Sequence, residues 1–180
     1  MNNYGHIVLA FTIDNFDGKI IKFFTRSKWS HSFITIPDIL GRPMCLEAAD
    51  SGVSALAFDY GYKNDPVENY NKWNVKLPKE VKDYAISECL NDLQTKYGYL
   101  ELPWFGWRAF LLWAFNKDIK SENNWCQKGT ICSELCVKYL TLCGLGYLFK
   151  DFGNGSVSPQ DIENIMLAHP ELFELEEIKE

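Results

Sequence analysis

The chain has 180 residues, of which 47% are hydrophobic and 23% are charged, and its formal net charge at pH 7 is −6. This length and composition predict a single globular domain over residues 1–180 with a substantial core, and they exclude a largely disordered chain. The acidic balance, without any block of lysine and arginine, disfavours a nucleic-acid partner. No uninterrupted apolar run approaches the ~20 residues of a membrane span, so we expect no transmembrane segment.

The N-terminal half carries strand patterns. "HIVLAFTI" (His6–Ile13) is rich in β-branched and aromatic residues and stops at the turn-forming "DNFDG". "IIKFF" fits either a short strand or a helical turn. "HSFITI" (His31–Ile36) alternates with period two, and "MCLEAA" (Met44–Ala49) follows a Gly-Arg-Pro turn. These two runs predict an antiparallel hairpin with a loop of about six residues, and "KWNVKLP" (Lys72–Pro78) predicts a further strand.

The C-terminal half carries helix patterns. Apolar residues at helical spacing predict a helix from about 79 to 97. The segment 102–116 is apolar on all sides of any helix, which predicts burial, with a cleft wall or a membrane-facing surface as alternatives. "TICSELCVKYL" starts a helix that runs to about Cys143, before Gly144 and Gly146.

One further helix and the tail complete the chain. Ser158 as the cap, Pro159 in the first turn and Asp161 at the third helical position predict a helix start. The acidic tail from about residue 170 is expected to be frayed or weakly packed.

The six cysteines allow several interpretations. An even count is compatible with disulfides, but the first residues lack the features of a secretory signal, so we expect reduced thiols in the cytoplasm. The C-x5-C-x3-C spacing of Cys126, Cys132 and Cys136 lacks the C-x2-C pair of structural zinc sites, so we expect no metal and no cofactor. Small buried core residues are the expected role of the other cysteines: Cys45, Cys89, Cys136 and Cys143.

Cys132 has a physical argument for reactivity. If Thr130 caps the helix, Cys132 occupies the second helical position, where unpaired N–H groups and the helix dipole favour a thiolate. A thiolate nucleophile needs an imidazole and a third polar group to orient that ring. Glu47 interrupts an otherwise apolar strand and is either this orienting group or an exposed strand residue.

His31 is the histidine placed to serve as that imidazole. It stands at the mouth of a strand, where a ring can face a cleft, whereas His6 and His169 fit structural or solvated positions. If Phe33 lies opposite Glu47 across the hairpin, His31 and Glu47 become diagonal neighbours on one face of the sheet. A histidine with no catalytic role remains the alternative.

Four ordered motifs resemble those of a known family. "SKWSHSFITI", "CLEAADSGV", "TICSELCVKYL" and "SVSPQDIENI" are similar to the motifs of the circularly permuted NlpC-like branch of papain-fold cysteine enzymes, the YiiX-like group, which in turn resembles the lecithin retinol acyltransferase-like proteins. The motifs span residues 27 to about 166. Ile131 departs from the tyrosine that often precedes the nucleophile in that family.

The resemblance implies roles and a fold. It implies that Cys132 is the nucleophile, His31 the general base and acid, and Glu47 the orienting group, while Ser133 and Glu134 cap the helix and pack the site. The implied fold is a papain-like α+β domain, in which a small antiparallel sheet or partial barrel packs against helices.

The implied function is that of a cysteine hydrolase of the amidase or peptidase type. Its substrate would carry an amide or isopeptide bond, with cell-wall peptides as one class, and the protein would act in the cytoplasm or be delivered with a virus particle. Two alternatives remain open: an acyltransferase or thioesterase that acts on acyl lipids with the same residues, and a non-catalytic structural or virion module. The sequence does not indicate the oligomeric state.

Overall fold

A computed structural model of the protein describes residues 4–12, 27–49, 51–58, 67–96, 98, 102–123, 130–153 and 156–179. The fold is α+β, as predicted. Within these residues the sheet has six strands: β1 (His6–Thr12), β2 (His31–Ile39), β3 (Arg42–Ala49), β4 (Gly52–Ala57), β5 (Val67–Val75) and β6 (Phe173–Lys179). All pairings are antiparallel, and the sheet is open with the order β4-β3-β2-β1-β5-β6.

Four α-helices accompany the sheet in the described part of the chain: α1 (Lys79–Leu90), α2 (Leu102–Phe115), α3 (Cys132–Leu140) and α4 (Pro159–Ala168). A π-turn over Thr141–Leu145 continues α3, and Gly144 lies there at a φ of 83°, a backbone conformation that glycine adopts without strain. The predicted C-terminal end of this helix near Cys143 is therefore confirmed. Among the described residues, no helix has the length and apolarity to cross a membrane.

The strand alternation divides the core between the two faces of the sheet. The main core lies on the face that α1, α3 and α4 cover, and it includes Ile7, Leu9, Ile34, Leu46 and Trp73. The other face carries a smaller cluster made of Val8, Ala10, Phe33, Cys45 and Tyr70. The predicted faces of β2 are confirmed, because Phe33 and Ile34 enter different clusters.

The β2–β3 hairpin is tighter than predicted. Its loop has two residues, Leu40 and Gly41, instead of about six, and both have positive φ, at 52° and 78°. Positive φ at both central positions is the geometry that matches the twist of a two-residue hairpin. Pro37 and Pro43 suggested a longer loop, but both lie inside strands, and Pro37 falls at a register shift where no ladder donor is needed.

The helix predicted from 79 to 97 ends earlier, at Leu90. The Gln94 N–H donates to the carbonyl of Val53, and the Val53 N–H donates to the carbonyl of Thr95, each at 2.9 Å. These backbone groups therefore pair with β4, a strand that the sequence patterns did not predict, and do not extend the helix. The further strand predicted at Lys72–Pro78 also shifts, to Val67–Val75.

The acidic tail is not frayed: it forms the edge strand β6. Phe173 is buried in the main core, and β6 pairs with β5 from Val75 to Tyr70. Glu176 lies 3.0 Å from the buried His6 ring, and the Tyr70 hydroxyl donates to Glu177. The prediction of a weak tail is therefore wrong, because Phe173, Glu176 and Glu177 all find partners in the rest of the protein.

The two remaining helices differ in how well the sequence predicted them. Ser158 caps α4, accepting the Asp161 N–H at 3.2 Å while Asp161 accepts the Ser158 N–H at 2.9 Å, as predicted. The predicted burial of segment 102–116 is wrong for half of α2. Trp104 and Phe105 are buried, but Trp107 and Trp113 on the opposite side are exposed. The "IIKFF" segment lies outside the described residues.

Candidate catalytic site

Cys132 is the first residue of α3. Its N-cap is Ile131, whose extended backbone leaves the helix and whose N–H donates to Glu134 Oε2 at 3.2 Å. The predicted cap at Thr130 is therefore wrong by one residue. Thr130 is instead held by backbone hydrogen bonds that connect it with Lys96 and Gly98. Cys132 stays within the first turn, where the helix dipole favours a thiolate.

Packing fixes the start of α3 on both sides. Ile131 is buried in a cluster with Trp104 and Phe105 of α2. Deeper in α3, Cys136 and Tyr139 enter the main core, and the Tyr139 hydroxyl donates to the carbonyl of Gly5 at 3.0 Å. The nucleophile candidate thus stands on a rigid element, which is what a precise catalytic geometry requires.

The β2–β3 register brings His31 and Glu47 together. Phe33 is the direct partner of Glu47, which is the register assumed in the sequence prediction, so that prediction is confirmed. The His31 Nε2 lies 2.8 Å from Glu47 Oε2, and both side chains are largely buried. A carboxylate at this distance fixes the ring orientation and stabilises its protonated form.

The His31 ring also forms a hydrogen bond with the Cys132 thiol. Because Nε2 faces Glu47, Nδ1 is the nitrogen left for the sulfur. Burial opposes the charged form of the ring, but the hydrogen bonds and charges of Cys132 and Glu47 outweigh burial and raise the pKa of His31 well above 6.5. The ring is therefore held as an imidazolium.

The Cys132 thiol responds in the opposite direction. Burial alone would raise the pKa of this thiol, but the hydrogen bond and positive charge of His31 and the polar groups of Ser32 bring the pKa below 9.0. The two groups thus favour each other's charged form, a thiolate beside an imidazolium. This is the form in which a cysteine attacks a carbonyl.

Ser32 is a site residue that the sequence patterns did not single out. Its backbone N–H forms a hydrogen bond with the Cys132 sulfur, and its hydroxyl also lowers the pKa of that thiol. The hydroxyl is fully buried, and among the described residues it makes no hydrogen bond that meets the usual distance and angle limits. Its influence on the thiol is therefore that of a nearby polar group. Serine next to a strand histidine carries no periodic signal, so only the tertiary structure brings it to the sulfur.

The other described cysteines behave as core residues. Burial raises the pKa of Cys136, Cys89 and Cys45 to about 12 in each case, so these thiols stay protonated at neutral pH. Cys143 is also buried, and the five described cysteines form no disulfide. Cys126 lies outside the described residues. Cys132 is therefore the one described cysteine whose surroundings favour the reactive form.

The other two histidines have structural partners. His6 is buried, with Nδ1 at 3.1 Å from the Thr35 hydroxyl and Nε2 at 3.0 Å from Glu176. Burial and the nearby lysines lower the pKa of His6 to about 4, so the ring is neutral. His169 lies at the end of α4, with Nδ1 at 2.9 Å from Glu171. Neither ring belongs to the Cys132 site.

The described residues contain no group of three histidine, cysteine or acidic side chains arranged to hold a metal ion. At the Cys132 site the donor set is already engaged, because one nitrogen of the His31 ring faces Glu47 and the ring also bonds to the thiol. The site thus brings a thiol, an imidazole ring and a carboxylate into contact.

No protein-family model matches the chain, and no curated protein matches it. Among solved structures, the chain is similar to the crystal structure of the metalloprotein YiiX from Escherichia coli O157:H7, with a TM-score of 0.52 and 15% sequence identity. The similarity covers 89% of this chain and 91% of that chain. At this identity the likeness shows the fold, so the chain has a YiiX-like α+β fold.

Proposed function

We propose that the protein is a cysteine hydrolase of the amidase or peptidase type. The observation that carries the proposal is the continuous contact from the Cys132 thiol to the His31 ring and from that ring to Glu47, located at the N-terminus of a packed helix. These are the three parts of a cysteine–histidine–carboxylate site, in which the carboxylate orients the imidazole and the imidazole activates the thiol.

The reaction follows from the positions of these groups. The thiolate sulfur forms a bond to the substrate carbonyl carbon, and the carbonyl electrons move to the oxygen. N–H groups in the first turn of α3 are directed at that oxygen, as in other helix N-termini. The imidazolium of His31 gives its proton to the leaving amine as the C–N bond breaks, and a thioester on Cys132 remains.

Water completes the cycle. The neutral His31 ring removes a proton from a water molecule as the water oxygen attacks the thioester carbon. The C–S bond breaks, the carboxylic acid leaves, and Cys132 returns as a thiolate beside the protonated ring. Glu47 holds the ring throughout, since its role is to orient the imidazole and to stabilise the imidazolium.

The substrate is expected to be an amide or isopeptide, and peptides of the cell wall are one class. An acyltransferase or thioesterase that acts on lipid is a second candidate, and one observation favours it. The buried side of α2 packs beside the nucleophile through Trp104 and Phe105, while the other side of that helix exposes aromatic rings. Transfer to an amine acceptor would use the same thioester and the same three residues.

The YiiX structure is described as that of a metalloprotein. The described residues of this protein contain no group of three histidine, cysteine or acidic side chains arranged to hold a metal ion. Every step proposed above is carried by Cys132, His31 and Glu47. Metal content of the purified protein, measured by mass spectrometry together with thiol labelling before and after chelator treatment, tests this choice. Loss of Cys132 labelling on chelation would contradict it.

The acyl-enzyme is the species to detect. We expect p-nitrophenyl acetate to give a burst of one p-nitrophenol per chain and a mass increase of one acetyl group on the peptide that contains Cys132. The variant Cys132→Ala should lose both signals, while Cys136→Ala, one helical turn deeper, should keep them. Acetylation at Cys136 instead, or no acetylation of the folded protein, would refute the proposal. Hydrolysis and transfer are then separated by adding amine acceptors.

A further inference from the structure

The outward side of α2 is formed of apolar residues. Trp107, Phe110, Trp113 and Phe115, here called the aromatic face, are exposed by 46%, 46%, 71% and 69%. Phe110 is the centre of this face, because its ring lies 5.8 Å from the Trp107 ring, 6.4 Å from the Trp113 ring and 6.2 Å from the Phe115 ring. The four rings therefore form one continuous patch.

The polarity of α2 is the reverse of that of an ordinary surface helix. Its one charged residue, Arg108, points inward, where it pairs with Asp118 at 2.9 Å and with Asp161 at 3.0 Å. The exposed stripe contains no charged side chain. A helix at a water-exposed surface normally carries its charges outside and its aromatic residues inside. In α2 the charged side chain is inside and the aromatic rings are outside, which indicates that the outer side of the helix contacts an apolar environment.

The area of the aromatic face indicates whether a second protein chain or a lipid bilayer would cover it. With about 150–250 Å² for each ring side chain, the exposed fractions correspond to on the order of 450 Å². This is as large as the biggest apolar patch on a typical monomer, but it is about half of the ~800 Å² that each partner buries in a standard protein interface. A second copy of the chain would find too little area, whereas a bilayer needs only a few inserted rings.

From this geometry we infer that the aromatic face of α2 docks the protein on the interface of a phospholipid membrane. Tryptophan and phenylalanine on one side of a helix are suited to the boundary between headgroups and acyl chains. At 14 residues α2 is about 21 Å long, shorter than the ~30 Å hydrocarbon core, so the helix lies along the surface. Docking there would place Ile131, which packs on the inner side of α2, and the adjacent Cys132 about one helix diameter (~10 Å) from the membrane.

The charge of the protein sets the kind of lipid. The net charge is −6, and the one cationic side chain of α2, Arg108, is already paired with two aspartates. Attraction to anionic headgroups therefore contributes little to binding. Binding is therefore driven by ring insertion and is expected on zwitterionic phosphatidylcholine. It does not depend on whether Cys132 is a nucleophile, so this inference and the proposed function can fail separately.

Flotation with phosphatidylcholine vesicles tests the inference. We expect the wild-type protein to float with the vesicles at both low and high salt, and the double variant Trp113→Glu with Phe115→Glu to lose at least tenfold in partitioning. Tyr84→Glu and Tyr147→Glu change rings of similar exposure, 58% and 59%, outside the patch and should bind as wild type. All these side chains are at the surface, so the variants should keep the fold and the labelling of Cys132.

Fluorescence locates the contact. Brominated phosphatidylcholine should quench part of the tryptophan emission, and Trp113→Phe should remove a large share of that quenching, because Trp29, Trp73 and Trp104 are buried. Absence of flotation would overturn the inference. So would binding that requires phosphatidylserine and falls with salt, or a wild-type dimer that Trp113→Glu converts to a monomer without any change in vesicle binding.

Discussion

Replacing Glu47 with glutamine tests how the site holds its charged pair. The substitution keeps the size and an acceptor oxygen at the position that lies 2.8 Å from His31 Nε2, but it removes the negative charge. A hydrogen bond to a charged group contributes about 1.5–3 kcal/mol and a neutral one about 0.5–1.5 kcal/mol. The imidazolium of His31 should therefore lose about 1–1.5 kcal/mol, and screening by water is small because both groups are largely buried.

This loss has a measurable effect on the thiol. A less stable imidazolium shifts the equilibrium of the pair from thiolate and imidazolium towards thiol and neutral imidazole. At pH 7, the rate of Cys132 labelling by iodoacetamide should therefore fall by up to about tenfold, since 1.4 kcal/mol is a factor of ten. Peptide mapping gives the rate for Cys132, with Cys136 as an internal reference for global opening.

The matched control is Glu80→Gln, which changes an exposed carboxylate of α1. It should label as wild type. If Glu47→Gln also labels as wild type at pH 7 while the protein remains folded, Glu47 does not stabilise the imidazolium and its orienting role is wrong. If labelling of Cys136 rises in parallel, the substitution has loosened the core, and circular dichroism would reveal the same loss.

Three further changes test the fold around the site. The pKa of His6 is lowered from 6.5 to about 4, so as the pH falls the unfolded chain binds this proton before the folded chain does. His6 therefore makes the protein less stable by up to ~3 kcal/mol as the pH falls from 6.5 to 4. We expect His6→Gln to abolish this part of the pH dependence of the unfolding free energy, measured by urea titration. Gly52→Ala should cost on the order of 3 kcal/mol in the same assay, since a Cβ would lie 2.2 Å from the Thr95 carbonyl at a φ of +96°. Leu40→Asn should raise thermal stability by roughly 0.5–1 kcal/mol, because Leu40 is 98% exposed at a positive φ that asparagine tolerates better beside Gly41; an unchanged melting temperature would contradict this.

The sequence predicted the centre of the site because the relevant patterns are local. Strand alternation placed His31 and Phe33 on one face, and pairing Phe33 with Glu47 then made His31 and Glu47 neighbours. The helix start at "TICSEL" placed Cys132 in the first turn, with an error of one residue. Each of these inferences needs only the period of a strand or the capping of a helix.

What the sequence did not predict depends on tertiary partners. Ser32 reaches the Cys132 sulfur only because α3 packs over the start of β2. The tail looked too acidic to pack, yet β6 pairs with β5 and brings Glu176 to His6. The outer rings of α2 could not be separated from core rings by apolarity alone, since the segment is apolar on every side.

The central claim is that His31 holds Cys132 as a thiolate, and the labelling rate of Cys132 at pH 7 in the wild type and in His31→Ala tests it most directly. Without the imidazolium, burial is the largest remaining influence and raises the pKa of the thiol, so a smaller fraction of Cys132 is thiolate at pH 7. The higher nucleophilicity of the more basic thiolate offsets part of this, so we predict a fall of at least about tenfold. Equal rates in the two folded proteins, or a wild-type Cys132 that reacts no faster than Cys136, would contradict the account.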